Sequence, residues 1–233
     1  MGEIEYTERV VAFIDILGFK GIINKSIEDE NKFLQIMCTL SYFQDEAEKI
    51  KNVGAKEWKK DICHGKQLTA FSDNIVISYP LNKITMIHLI KEVISLQCSF
   101  GAFGFITRGG ISFGKLYHEH SIVFGPAFHR AYELETQVAN YPRVILDSQY
   151  LHKYHGLFED SETPLSEDVN ELLKKADDGF YFLDFVSKCD GSTTEKLLRI
   201  VKETIKEIKD EGNNQRHLSK LNWLSNYLNN KLD

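Results

Sequence analysis

At 233 residues the chain is long enough for one large domain with a substantial buried core. Hydrophobic residues make up 42% and charged residues 27%, the balance of a globular protein rather than a disordered one. The formal net charge of -6 excludes a strongly basic surface for gripping nucleic acid, so an anionic ligand must be held by metal ions, backbone N–H groups or a few arginines. No run approaches the ~20 apolar residues of a membrane-spanning helix. The start, Met1-Gly2-Glu3-Ile4-Glu5, is acidic and unlike a secretory leader. Cys38, Cys63, Cys98 and Cys189 contain no C-x-x-C pair, which predicts buried, reduced thiols in a cytoplasmic protein.

Val10 to Ile16 is a short apolar run, β-branched and aromatic, that predicts a buried central strand ending at Leu17-Gly18. Asp29 to Lys51 has helical spacing, with Phe33, Ile36, Met37, Leu40 and Phe43 on one face. Gly54 to Gly65 is polar and irregular. Lys66–Phe71, Ser72-Asp73-Asn74 and Ile75–Tyr79 read as strand, tight turn and strand, Asp and Asn tolerating the positive φ of such turns. Ile84–Phe100 predicts a second amphipathic helix. Phe103–Phe113 predicts a strand whose glycines allow close backbone approach, and Leu116–Phe124 a further hairpin.

Pro126 opens a helix that runs through Ala127–Ala139. Val144–Leu146 is a short strand, Glu159–Asp178 a loop with a small helix at Val169–Lys175, and Gly179–Val186 a strand. Thr193–Lys209 and Leu218–Asn229 are terminal helices separated by Gly212-Asn213-Asn214. The order β-α-β-β-α-β predicts an α+β fold of ferredoxin-like, or palm-type, arrangement: a mostly antiparallel sheet with helices packed on it. Residues 1–190 form the catalytic domain in this reading, and 191–233 a C-terminal helical extension of it.

Two aspartates stand out. Asp15 is embedded in Ala12-Phe13-Ile14-Asp15-Ile16-Leu17, and Asp73 sits at a hairpin tip. A carboxylate at the end of a buried strand is costly unless it meets a cation or several donors. With the first strand beside the hairpin, the two acids converge on a divalent metal site suited to phosphoryl transfer. Gly18 permits a sharp strand-to-helix turn that aims N–H groups at phosphates. The bland alternative makes Asp15 a cap and Asp73 an ordinary turn residue. His118, His120, His152 and His155 lack ligand spacing and read as surface or loop residues.

These residues resemble the class III nucleotidyl cyclases. Phe13-Ile14-Asp15-Ile16-Leu17-Gly18-Phe19 is similar to the family's first metal motif, F-x-D-I-x-G-F, and Phe71-Ser72-Asp73 to its second. Arg108-Gly109-Gly110-Ile111-Ser112-Phe113-Gly114 resembles R-x-G-I-H-x-G, and Gly125 to Glu135 resembles G-x-x-V-N-x-A-x-R-L-E. The resemblance implies two divalent cations, Mn2+ or Mg2+, on Asp15, Asp73 and the Ile16 carbonyl. It implies N–H groups of Leu17, Gly18 and Phe19, with Lys20 nearby, around the triphosphate. It also implies a homodimer with shared active sites and a nucleoside triphosphate substrate; the acidic charge and the lack of a long apolar run predict neither a nucleic-acid nor a membrane partner.

The departures set the expected substrate. Where purine cyclases of this family carry a lysine and an aspartate that read the base, this chain has Thr69 and Ile122. The family's transition-state Asn and Arg fall on His129 and Glu133, and a glutamate near phosphate repels growing negative charge. Arg130 and Arg108 are the candidate replacement cations, Lys20 and Lys115 weaker ones, each weighed against an ordinary salt bridge. The pattern resembles the pyrimidine (uridylate/cytidylate) cyclases of bacterial Pycsar anti-phage systems, which implies UTP or CTP as substrate and Thr69 as a contact to the base. Two other readings stand beside an active cyclase: a cyclase-like nucleotide-binding signalling module with weak or no turnover, and an interaction domain docking through its terminal helices.

Overall fold

The structure, a computed structural model, describes residues 5–52, 65–147, 169, 171–210 and 215–232. Its first strand, β1 (Thr7–Ile16), alternates between two apolar environments. Val10, Ala12, Ile14 and Ile16 enter the main core, while Val11 and Phe13 enter a smaller cluster on the opposite face. Burial on both faces explains why this strand reads as a continuous apolar run.

After β1 come α1 (Phe19–Ser26), α2 (Glu30–Asn52), β2 (Gln67–Phe71), β3 (Asn74–Pro80), α3 (Lys83–Ala102) and β4 (Thr107–Glu119). Next are β5 (Ile122–Phe124), α4 (Pro126–Glu133), β6 (Val144–Leu146), β7 (Leu173–Lys175) and β8 (Tyr181–Leu183). A short α5 (Phe185–Lys188) precedes α6 (Gly191–Asp210) and α7 (Gln215–Leu232). The strands lie in the order β2-β3-β1-β4-β6-β8-β7, with β5 paired to β4. All described pairings are antiparallel except β4 with β6. The fold is therefore α+β, and its first four strands take the expected ferredoxin-like order.

Helices α2, α3, α6 and α7 close the main core. Ile36 and Phe43 of α2 are buried there; Phe33 and Met37, placed on that face by spacing alone, are about half exposed. Asn82 and Thr85 form a reciprocal cap at the start of α3, Asn82 Oδ1 accepting from the Thr85 N–H at 3.0 Å. Leu197, Leu198 and Val201 of α6 and Leu221, Leu224 and Leu228 of α7 join the same cluster. No helix among the described residues is long and apolar enough to cross a membrane.

Several local expectations change. Phe103 ends α3 instead of starting a strand, and β4 runs unbroken from Thr107 to Glu119, absorbing the first arm of the expected hairpin. The helix expected through Ala139 is α-helical only to Glu133, then widens into a π-helical turn, Leu134–Val138. Where Val169–Lys175 was expected to be helical, Leu173–Lys175 pairs with β8, sheet pairing overriding local propensity. Asp184 accepts from the Ser187 N–H at 3.2 Å and so ends β8 by capping α5. The described residues include Gly65 alone of the predicted Gly54–Gly65 loop, and exclude Gly212–Asn214, His152 and His155. Cys98 of α3 and Cys189 after α5 form a disulfide with Cα atoms 5.4 Å apart, not the free thiols expected from their sequence separation of 91. Packing of α3 against the end of α5 brings them together, which spacing could not show.

Candidate functional site

Asp15 is the penultimate residue of β1, opposite Asn74 of β3 on one side and Arg108 of β4 on the other. The Ile16 N–H donates to the Asp73 carbonyl at 3.0 Å, which closes the β2–β3 tip onto the end of β1. The positive φ of that tip falls on Ser72, at 55°, and not on Asp73 or Asn74. The Asp73 backbone is thereby held at the end of β1, and its charge acts on Asp15. Burial pushes the Asp15 carboxyl up to about 6; the charges of Glu135 and Asp73 add to the rise, and those of Arg108 and Lys220 oppose it.

Glu135 is the residue that sequence reasoning passed over. It lies in the π-helical turn, is buried, and forms an ion pair with Arg108. Its pKa is raised by burial, against the opposing charges of Arg108 and Lys220. An acid within Leu134-Glu135 after an amphipathic helix was visible; the widened turn that carries it inward was not. Gly110 makes this packing possible, because a Cβ there would come within 2.6 Å of the Leu134 Cβ.

At the other edge of the site Gly18, with φ 73°, turns the chain from β1 into α1. The Leu17 N–H donates to the Ile106 carbonyl at 2.8 Å, which removes Leu17 from the expected phosphate cradle. The first N–H groups of a helix lack intrahelical acceptors, so Gly18, Phe19 and Lys20 remain for that role. Lys20 is exposed and Phe19 buries its ring in the core.

The candidate cations are committed to carboxylates of this chain. Arg108 holds Glu135 and also donates to the Ala139 carbonyl at 3.4 Å. Arg130 meets Asp147 through two nitrogens, at 2.8 and 3.3 Å, and Glu133 at 3.5 Å. His129 is exposed on α4 with its ring near Phe128.

Thr69 is also engaged. Its hydroxyl donates to the His120 carbonyl at 2.6 Å and lies 2.9 Å from His118 Nε2. His118, expected at the surface, is buried; its Nδ1 lies 2.8 Å from Ser78 Oγ, which accepts from Arg9 Nε at 2.9 Å. Burial, with Arg9 nearby, lowers the His118 pKa to about 3, so its ring is neutral. With Nε2 protonated and Nδ1 accepting, every link of Arg9–Ser78–His118–Thr69–His120 is satisfied.

Among the described residues no group of three or more His, Cys, Asp or Glu is arranged as a metal-binding cluster. The donors at the end of β1 are instead two carboxylates and a backbone carbonyl, all hard oxygens, with an excess of negative charge. Mg2+ and Mn2+ are held in this manner, substrate phosphates and water completing the shell. The residues therefore fit such cations.

No protein-family model and no curated protein matches this sequence. Among solved structures, the chain is similar to the monomeric guanylyl cyclase domain of a rhodopsin fusion protein from the aquatic fungus Blastocladiella emersonii. That match has 17% identity, a TM-score of 0.47, and coverage of 77% of this chain and 96% of the other. The catalytic core of a rhodopsin-guanylyl cyclase with converted specificity, in complex with ATPαS, gives 17% identity, a TM-score of 0.46 and the same coverage, 77% and 96%. An adenylate/guanylate cyclase/hydrolase from Silicibacter pomeroyi gives 12% identity, a TM-score of 0.42, and coverage of 77% and 98%.

Proposed function

We propose that this chain is a nucleotidyl cyclase catalytic domain that converts a nucleoside triphosphate, UTP or CTP in preference to ATP or GTP, to a 3′,5′-cyclic monophosphate and pyrophosphate. The observation that carries the reading is the half-buried Asp15 at the end of β1, with the Asp73 tip closed onto that end by the 3.0 Å hydrogen bond from the Ile16 N–H and the Asp15 carboxyl pushed up to about 6 by burial. A carboxylate in such a place is costly in the bare chain and useful when cations arrive.

Asp15, Asp73 and the Ile16 carbonyl would hold two Mg2+ or Mn2+ ions. Bound there, the ions supply a lowered pKa for the ribose 3′-hydroxyl and neutralisation of charge on the phosphates. The Gly18, Phe19 and Lys20 N–H groups orient the β- and γ-phosphates at the N-terminus of α1. The 3′-hydroxyl gives up its proton to water, its oxygen forms a bond to the α-phosphorus as the bond from that phosphorus to the bridging oxygen breaks, and pyrophosphate leaves with the electron pair. Thr69 and Ile122 lack the charged groups of a purine reader, which supports a pyrimidine. A neutral base contact is open to Thr69 through its remaining lone pair, its proton being donated to His120. The half-exposed Tyr6, Ile122, Phe124 and Tyr132 around β5 and α4 support a homodimer across that face. A cytoplasmic role in anti-phage second-messenger synthesis belongs to the same reading and rests on the sequence resemblance.

One observation favours a second reading, a nucleotide-binding signalling module with little turnover. Arg130 and Arg108 are both tied to carboxylates, and Glu133 occupies the position of the family's transition-state arginine. Incubating the protein with Mn2+ and an equal mixture of ATP, GTP, CTP and UTP, followed by mass spectrometry, separates the readings. Cyclic UMP or cyclic CMP that disappears in Asp15→Ala supports the cyclase. Tight nucleotide binding without product supports the module. Neither binding nor product rejects both.

A further inference from the structure

A cavity of about 650 Å3 opens between α2 and α3, above the β2–β3 hairpin. Voids in a packed core rarely exceed a water molecule, whereas sites for small organic ligands run to roughly 300–1,000 Å3. The floor is buried and apolar. Leu68 and Ile77 pair across the hairpin there, and Phe43 of α2 stacks on Phe100 of α3 with ring centroids 5.4 Å apart. The rim is open, with Tyr42 60% and Phe103 47% exposed. Leu68 and Ile77 face the main core together with Ile14 and Ile16, and Asp15 alternates to the other face of β1, so the cavity is separate from the candidate metal site.

A charged pair is built into this apolar wall. Lys66, directly before β2, has a side chain only 10% exposed, and its ammonium donates to Glu92 Oε1 of α3 at 2.6 Å. The other Glu92 oxygen accepts from the Tyr79 hydroxyl at 2.6 Å, so the carboxylate is held from both sides. An ammonium carries three N–H donors, and Glu92 is the one acceptor that Lys66 meets among the described residues. Buried donors without partners are costly, and a ligand oxygen removes that cost. The lysines and acids of the described wall are Lys66 and Lys91 against Glu92, an excess of one positive charge.

We propose that this cavity is a binding site for a small organic monocarboxylate with an apolar chain, its carboxylate on Lys66 and its chain over Leu68, Ile77, Phe43 and Phe100. A carboxylate supplies acceptors for the remaining Lys66 N–H groups and matches the excess charge; a cationic or uncharged ligand of the same shape does not. The site depends neither on bound metal nor on cyclase activity.

The test is calorimetric titration of the full chain, without metal and at neutral pH, with hexanoate, octanoate and decanoate, and with decanol as the uncharged counterpart. Affinity should rise about threefold to fourfold per methylene added. Decanol should bind about tenfold more weakly than decanoate. Ser99→Trp, at an exposed position of α3 on the cavity wall, should weaken decanoate and decanol alike by about tenfold or more. Lys66→Met combined with Glu92→Gln removes both charges together, leaves no unpaired charge buried, and should bring decanoate down to the level of decanol. Should that double variant fail to fold, the wild-type ratio of decanoate to decanol still decides the role of charge. A wild type that binds no decanoate overturns the proposal. So does equal binding of decanoate and decanol, which reduces the cavity to an unselective apolar surface. Decanoate affinity left unchanged by Ser99→Trp puts the ligand elsewhere and overturns it as well.

Discussion

The two ends of β1 handle charge in opposite ways. At its beginning Arg9 is buried, 7% exposed, yet its Nε and one terminal nitrogen find three acceptors: Ser78 Oγ, Ser78 O and Gly65 O. The neighbouring His118 is held neutral, and burial lowers the Arg9 pKa to about 10, but the polar groups that face each other here are paired by hydrogen bonds. At the far end burial raises the Asp15 pKa, the charges of Glu135 and Asp73 raise it further, and those of Arg108 and Lys220 compensate in part. A complete network specifies and stabilises a fold, whereas an incomplete one marks a place kept for something else. Both ends are polar intrusions into an apolar strand, so burial alone does not identify the site; the sign and sum of the charges do.

The largest effect expected from breaking this contrast is at the acid end. Asp15→Asn keeps shape and removes charge, and should reduce cyclase turnover by about a thousandfold or more. In metal-free buffer near neutral pH the same change should raise stability by about 2 kcal/mol, because the folded-state penalty on the Asp15 carboxylate is removed. Activity assays paired with urea unfolding check both signs; a loss of stability would show that Asp15 is a structural acid. At the hydrogen-bonded end the sign reverses. Arg9→Met should cost about 3 kcal/mol by leaving buried acceptors unmatched, and its unfolding midpoint should not depend on added Mn2+ more than that of the wild type.

The sequence carried the acid end more openly than the hydrogen-bonded one. Asp15 was legible because a carboxylate in an apolar run is a local anomaly, and Asp73 because a hairpin tip has a recognisable pattern. The strand order that joins them followed from the β-α-β-β-α-β succession. Glu135 was not legible as a site residue, since a π-helical turn adds a fraction of a residue per turn and no pattern with a period of 3.6 foretells it. His118 looked like a loop histidine because its partners, Ser78 and Thr69, come from strands 40 and 49 residues earlier.

The most diagnostic effect is in the pH dependence of stability, because the two ends contribute with opposite signs. His118 falls from 6.5 in the unfolded chain to about 3 in the folded one, so between those values unfolding takes up a proton. Its contribution is full above the unfolded value and is lost as pH falls through that window, by at most about 1.4 kcal/mol per pH unit. Asp15 rises from 3.8 to about 6, so in that range folding takes up a proton and acidification helps the folded state. Over their shared range the two slopes cancel, and the wild type should be nearly insensitive to pH from these groups. Asp15→Asn should expose the His118 slope as a steep loss of stability on acidification in metal-free buffer. His118→Gln in the same background should remove it. Urea midpoints for the wild type, the single variant and the double variant across that range are the measurement. If the slope in Asp15→Asn is no steeper than in the wild type, the charge imbalance that distinguishes the two ends of β1 is not there.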